Sequence, residues 1–210
     1  MSKVFYDKSI IEQIFEEFAK DKDKQDKDKL LNLVERLPPE DVSIQNEYGN
    51  TALIYATFYG YIKIVKLLLE KGDIDVNIQY INGDTALICA SYYGYTEIVK
   101  FLLEKEDINI NINIQNNHGD TALISAITFN YTKIVKLLLE KEGINVNIQN
   151  NFDNTALIMA SSNGCTEIVK LLLEKEGIDV NIQNNNSNTA LIEAYGHTEI
   201  VKLLENHKSS

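Results

Sequence analysis

The sequence predicts an all-α solenoid, built of stacked helix-turn-helix units with extended, hairpin-like loops between them. The first observation is a repeat: Thr-Ala-Leu-Ile begins at Thr51, Thr85, Thr121, Thr155 and Thr189, at spacings of 34, 36, 34 and 34 residues. A fixed period of this size is the signature of a repeat architecture. The second is the frame around each copy: a turn such as NEYGN, the TALI run, a Gly or Asn turn, a second run such as TEIVKLLLEK, then DVNIQ or NVNIQ. The second run is amphipathic, with Ile98, Val99, Leu102 and Leu103 on one stripe and Glu97 and Lys100 turned to water. A single helix pair cannot bury such a stripe, so the units must stack.

In chain order, residues 1–45 read as an N-terminal helical capping unit. Ile10, Ile11, Ile14, Phe15 and Phe18 form one helical stripe, and Leu30, Leu31, Val34 and Leu37 form another. The intervening DKDKQDKDK, with four Asp and four Lys, reads as a solvated loop of no net charge. Full repeats are expected at 46–79, 80–115, 116–149 and 150–183, and a truncated C-terminal capping repeat at 184–210. Gly143 and Gly177 are expected to close their second helices as left-handed caps, with Asp73 and Asp107 in the same place. The Ile/Asn-alternating loop from Ile108 to Ile114 is two residues longer than its siblings, and both a protruding hairpin and a neutral insertion fit it. In the last unit two residues are lost around Tyr195 and Gly196, and Glu205 stands where Leu69, Leu103, Leu139 and Leu173 stand elsewhere. A charge where a further unit would dock is expected to mark the end of the stack.

With this frame, the sequence resembles the ankyrin repeat family over nearly the whole chain, most closely across Gly83 to Gln115 and Asp153 to Gln183. The chain departs from the family's Thr-Pro-Leu-His: Ala52, Ala86, Ala122, Ala156 and Ala190 replace Pro, and Ile54, Ile88, Ile124, Ile158 and Ile192 replace His. Apolar burial of those isoleucines is expected in place of the His hydrogen bonds. The resemblance implies that Asn77, Asn113, Asn147 and Asn181 tie successive loops together. It also implies that Tyr61, Tyr95 and Tyr131, in the family's Gly-His position, are structural.

Composition narrows the function. Of 210 residues 44% are apolar and 24% charged, which fits a folded protein. The net charge of −11 argues against nucleic acid or anionic membrane as a partner, and points to a protein with a basic surface. Residues 1–40 carry −2 of this and the repeats −9. Two distant cysteines, Cys89 and Cys165, suit a reducing cytoplasm. An N-terminus without an uninterrupted apolar core reads as neither signal peptide nor anchor. Abundant Ile, Asn, Lys and Tyr match AT-rich codons, a bias that would suit a parasite, symbiont or large virus addressing host proteins.

Positions that vary among the repeats indicate the binding face. Along the first helix of each unit, Tyr55, Phe58 and Tyr59, then Cys89, Tyr92 and Tyr93, then Ser125, Thr128 and Phe129, then Met159, Ser162 and Asn163 share one side. By resemblance this side and the loop tips, including Tyr48, Ile81, Asp84, His118, Asp120 and Phe152, line a concave groove that binds partners. The groove is expected to be aromatic and acid-rimmed over the first three repeats, and small and polar beyond. Exposed rings on one face suit a protein-binding hot spot, although rings that merely pack on one another between repeats would give the same pattern. No histidine stands at metal-ligand spacing, no glycine-rich loop cradles phosphate, and neither cysteine has a base placed beside it. The expected function is a non-enzymatic, monomeric protein-binding module without a cofactor. A regulatory domain of an enzyme and an RNA-binding module are the alternatives.

Overall fold

The computed structural model describes residues 8–72, 74–105 and 109–208. Among them are twelve α-helices, two short 3-10 turns and no strand. The cap is α1 (Ile10–Phe18) with α2 (Lys27–Arg36). Four units follow: α3 (Ala52–Phe58) with α4 (Ile62–Leu69), α5 (Ala86–Tyr92) with α6 (Thr96–Glu104), α7 (Ala122–Thr128) with α8 (Thr132–Leu139), and α9 (Ala156–Ser162) with α10 (Thr166–Leu173). A last pair, α11 (Ala190–Glu193) with α12 (Thr198–Lys208), ends the stack. The odd-numbered helices pack on one another in one layer and the even-numbered helices in a second.

Each short helix starts the same way. The hydroxyls of Thr51, Thr85, Thr121 and Thr155 accept the N–H of the isoleucine three residues on, at 3.2–3.3 Å. This satisfies one of the orphan donors of the first turn. Ile54, Ile88, Ile124 and Ile158 are buried as expected, but Ile192 is 53% exposed. The reason is position: among the described residues α11 packs on α9 and α12, and no helix covers the side turned away from α9.

Three side-chain ladders hold the units in register. Asn77 donates to the Asn109 carbonyl and accepts from the Asn111 N–H, at 2.7 and 2.8 Å. Asn113 does the same with Gly143 and Asn145, and Asn147 with Gly177 and Asp179. The linking role holds for these three. Gln79, Gln115 and Gln149 each donate to the carbonyl of the next glutamine in the series, at 2.9–3.0 Å. Lys71, Lys141 and Lys175 donate to Leu37, Leu103 and Leu139 carbonyls at the preceding helix ends, at 2.6–2.9 Å, and Lys105 donates to that of Leu69. An ammonium there satisfies an orphan acceptor and meets the negative end of the helix.

Gly143 and Gly177 are left-handed, with φ of 76° and 78°. In the first unit Gly72 takes this conformation, while Asp73 and Asp107 lie outside the described residues. The long loop is not a protruding hairpin over its described part: Ile112 is buried, Ile110 and Ile114 pack on the core, and Asn109 supplies the carbonyl that Gly143 and Gly177 supply elsewhere.

The charged segment of the cap is not a solvated loop throughout. Asp26 caps α2 by accepting the Lys29 N–H. Gln25 is buried, donating to the Phe18 and Lys20 carbonyls and accepting from the Tyr61 hydroxyl at 2.7 Å. Glu17, fully buried in α1, accepts the Asp26 N–H at 2.8 Å and the ammoniums of Lys20 and Lys29 at 2.6 and 2.8 Å. Burial raises its pKa, but these donors together more than offset that and hold the carboxyl at about 2.

The turn between paired helices has its own constraint. Gly94 is left-handed at φ 75°, and a Cβ there would stand 2.7 Å from the Tyr131 ring. The equivalent residue of the third repeat is Asn130, also left-handed at φ 56°. Its side chain is tolerated where the following unit carries the small Cys165 in place of a tyrosine ring.

Two outcomes follow for stability. Gly94→Ala should cost about 2 kcal/mol in urea unfolding, from backbone strain and the clash with Tyr131, and the loss should shrink in a Tyr131→Cys background. Glu17 has a depressed folded pKa, so its contribution is present above about pH 4.5 and is lost as pH falls toward about 2. Glu17→Gln should flatten this acid limb of the stability curve and lower stability at neutral pH.

Candidate functional site

The groove is built from loop tips on one side and the odd-numbered helices on the other. Each tip is a closed turn: Asn116 N–H donates to the Asp120 carbonyl at 3.0 Å and Gly119 N–H to the Asn116 carbonyl at 2.8 Å. Successive tips are joined by backbone bonds, Ile81 to Tyr48, Asn117 to Asn82, and Asn151 to His118, at 3.0–3.1 Å. A Cβ at Gly119 would lie 2.6 Å from the Asn151 nitrogen. Asp153 takes this place in the next tip, and there the joining bond, Asn185 N–H to the Phe152 carbonyl, lengthens to 3.3 Å.

A continuous row of rings runs along the helices. Phe18 stacks on Tyr55 and Tyr59, with centroids 5.3 and 6.1 Å apart. Phe58 meets Tyr93 edge-on at 5.3 Å, Tyr92 meets Tyr93 at 5.0 Å, and Tyr92 meets Phe129 at 4.7 Å. The sequence-predicted set therefore divides. Tyr55 and Tyr59 are half-buried under the cap: the Tyr55 oxygen accepts from the Asn46 amide and the Tyr59 hydroxyl donates to the Phe18 carbonyl. Phe58, Tyr92, Tyr93 and Phe129 do pack on one another, yet each stays 39–49% exposed. Tyr48, Ile81 and Phe152 project from their tips, 55–67% exposed. The row ends at the fourth repeat, where Ser162 and Asn163 are exposed instead.

Between the second and third repeats the groove deepens into a pocket of about 270 Å³. Tyr80, Asn82, Asp84, Cys89, Tyr92 and Tyr93 form one wall. Asn116, His118, Asp120, Ser125, Thr128 and Phe129 form the other. Asp84 accepts from the Tyr80 hydroxyl at 3.0 Å and from the Asn116 amide at 2.7 Å, and Asp120 accepts from the Asn150 amide at 2.8 Å. Tyr80 and Asn116 escape a helix-face reading because they stand at the base of the tips. A signal for Tyr80 was present nonetheless: it interrupts the column Asn46, Asn116, Asn150, Asn184.

Neither cysteine is poised as a nucleophile. Burial pushes the Cys89 thiol well up, reinforced by the Asp84 charge, and burial raises Cys165 as well. Among the described residues no group of His, Cys, Asp and Glu is arranged to hold a metal ion. Nor is any described helix long and apolar enough to cross a membrane.

Comparison with known proteins agrees with this architecture. The family model for ankyrin repeats (3 copies) matches residues 24–80, 73–150 and 142–210. Among solved structures, the crystal structure of EF0377, an ankyrin repeat protein, is similar with a TM-score of 0.75 and 32% identity, covering 94% of this chain and 96% of that one. No curated protein matches. Ankyrin repeats are in general protein-protein interaction modules. With its repeated Thr-capped helix pairs, two helix layers and laddered loops, this chain belongs to the ankyrin repeat family.

Proposed function

We propose that the chain is a non-enzymatic scaffolding module of the cytoplasm that, as a monomer, docks a protein partner with a basic surface in its concave groove. The observation that carries this reading is the set of exposed rings, Phe58, Tyr92, Tyr93 and Phe129, held in one row beside Asp84 and Asp120. Rings fixed by their neighbours offer large contact area with little rotamer entropy left to lose, and a preformed backbone adds no ordering cost. Acids at the rim steer a basic partner and repel polyanions, which disfavours nucleic acid and anionic membrane. The second helices face away from this groove and carry their own ion pairs between units, Lys136 with Glu167 at 3.1 Å and Lys170 with Glu199 at 2.6 Å.

The test is retention of partners on the immobilised protein, compared with a Phe58→Ser, Tyr92→Ser, Phe129→Ser variant of unchanged helicity. Loss of the anchors should weaken the retained protein by at least about tenfold, and its association rate with the parent chain should fall as salt is added. Equal binding by parent and variant would show that the partner docks elsewhere.

A further inference from the structure

Resting on that reading of the groove, we infer that the pocket between the second and third repeats receives one arginine side chain of the partner's basic segment. The first ground is an internal comparison of one position. Asn50, Asp84, Asp120 and Asn154 occupy the same place in the first four loop tips. At the last three the side chain accepts an N–H from the amide of the following tip, from Asn116, Asn150 and Asn184 at 2.7, 2.8 and 3.0 Å. Asn154 shows that an amide oxygen performs this structural task. The negative charge at 84 and 120 is therefore surplus to the fold, and it occurs only in the two repeats that line the pocket.

The second ground is what the pocket lacks. No lysine or arginine lines it, and neither Asp84 nor Asp120 enters an ion pair among the described residues. Their partners are neutral amides and a phenol, which leave lone pairs on each carboxylate. Outside the groove two rings meet a cation: Lys66 lies 5.7 Å from the centre of Phe101, and Lys27 lies 5.1 Å from that of Tyr61. Tyr92, Tyr93 and Phe129 have no such ammonium among the described residues. Two uncompensated carboxylates beside three partly exposed rings form a cavity awaiting a cation.

Arginine fits this chemistry better than the other cations a protein can present. A guanidinium is planar, so it lies flat on a ring while its edge donates to a carboxylate, and its several donors can serve two carboxylates at once. A lysine ammonium is a strongly hydrated point charge that uses one of these surfaces well. A trimethylated lysine has no donor for the carboxylates. A space of about 270 Å³ suits one side chain rather than a helix.

The probe is the peptide N-acetyl-Gly-Arg-Gly-amide, titrated into the whole chain and followed by amide chemical shifts. Its lysine, trimethyl-lysine and citrulline counterparts serve as controls. The arginine peptide should give saturable shifts centred on Asp84, Tyr92, Asp120 and Phe129, with citrulline giving none. The double variant Asp84→Asn, Asp120→Asn, which places at both sites the residue already present at 50 and 154, should weaken binding at least about tenfold. Tyr92→Thr, copying the residue at 128, is the second variant and should weaken it independently of the acids. Unchanged arginine binding in both variants, or equal or tighter binding of either lysine peptide, would overturn the assignment. The pocket and the groove fail separately. A partner that depends on Phe58 and Phe129 but not on the two acids would refute the arginine pocket alone. A partner indifferent to the rings, with arginine binding intact, would refute the groove reading while supporting the pocket.

Discussion

Each two-helix unit has an apolar stripe on both of its stacking sides and too few residues to cover either, so every unit borrows its core from its neighbours. Ile98, Ile134, Ile168 and Ile200, at the same place in successive second helices, are all fully buried in the shared core. This dependence fixes the translation between units, and the fixed translation brings equivalent atoms of successive loops within bonding distance. Asn, Gln and Lys ladders are its by-products, since a side chain that reaches its neighbour once reaches it at every step. The cap holds together differently, with a buried carboxylate at Glu17 held by one backbone donor and two ammoniums.

The same constraint shapes the outer face. The tips are bonded to one another and the rings of adjacent helices meet edge-on, so the face they line is held by its own contacts. Variation is cheap there: Tyr92, Thr128 and Ser162 share one position without disturbing the stack, because that side chain faces outward. The chain thus separates residues that hold the solenoid from those that face outward, within one helix of seven residues.

Most of the fold was legible in the sequence, because the period and the stripe of the second helix are local and recur along the chain. What escaped was non-local or singular. Lys71, Lys105, Lys141 and Lys175 look like solvated charges until the preceding helix end is placed beside them. Gln25 and Glu17 sit in or next to a run of alternating charges that hides two buried polar groups. Of the groove, Asp84, Tyr92, Tyr93, His118, Asp120 and Phe129 were readable from helix faces and tip positions, and they converge on one pocket. That the cap half-covers Tyr55 and Tyr59 was not legible, because nothing in the repeat pattern says where α1 lies. Tyr80 could have been found as the odd member of an asparagine column.

The ladders also give the stack a direction. Each glutamine reaches forward to the next loop, and each lysine reaches back to the helix before it, so an interior unit is tied from both sides. In the last pair α11 is four residues long, Thr189 makes no capping bond, and Ile192 and Tyr195 stand open to solvent. At the other end, Lys71 and Tyr61 bind the cap onto the first repeat. Among the described residues, then, the aromatic part of the groove lies on units tied on both sides, whereas α11 and α12 pack on one preceding unit and on each other.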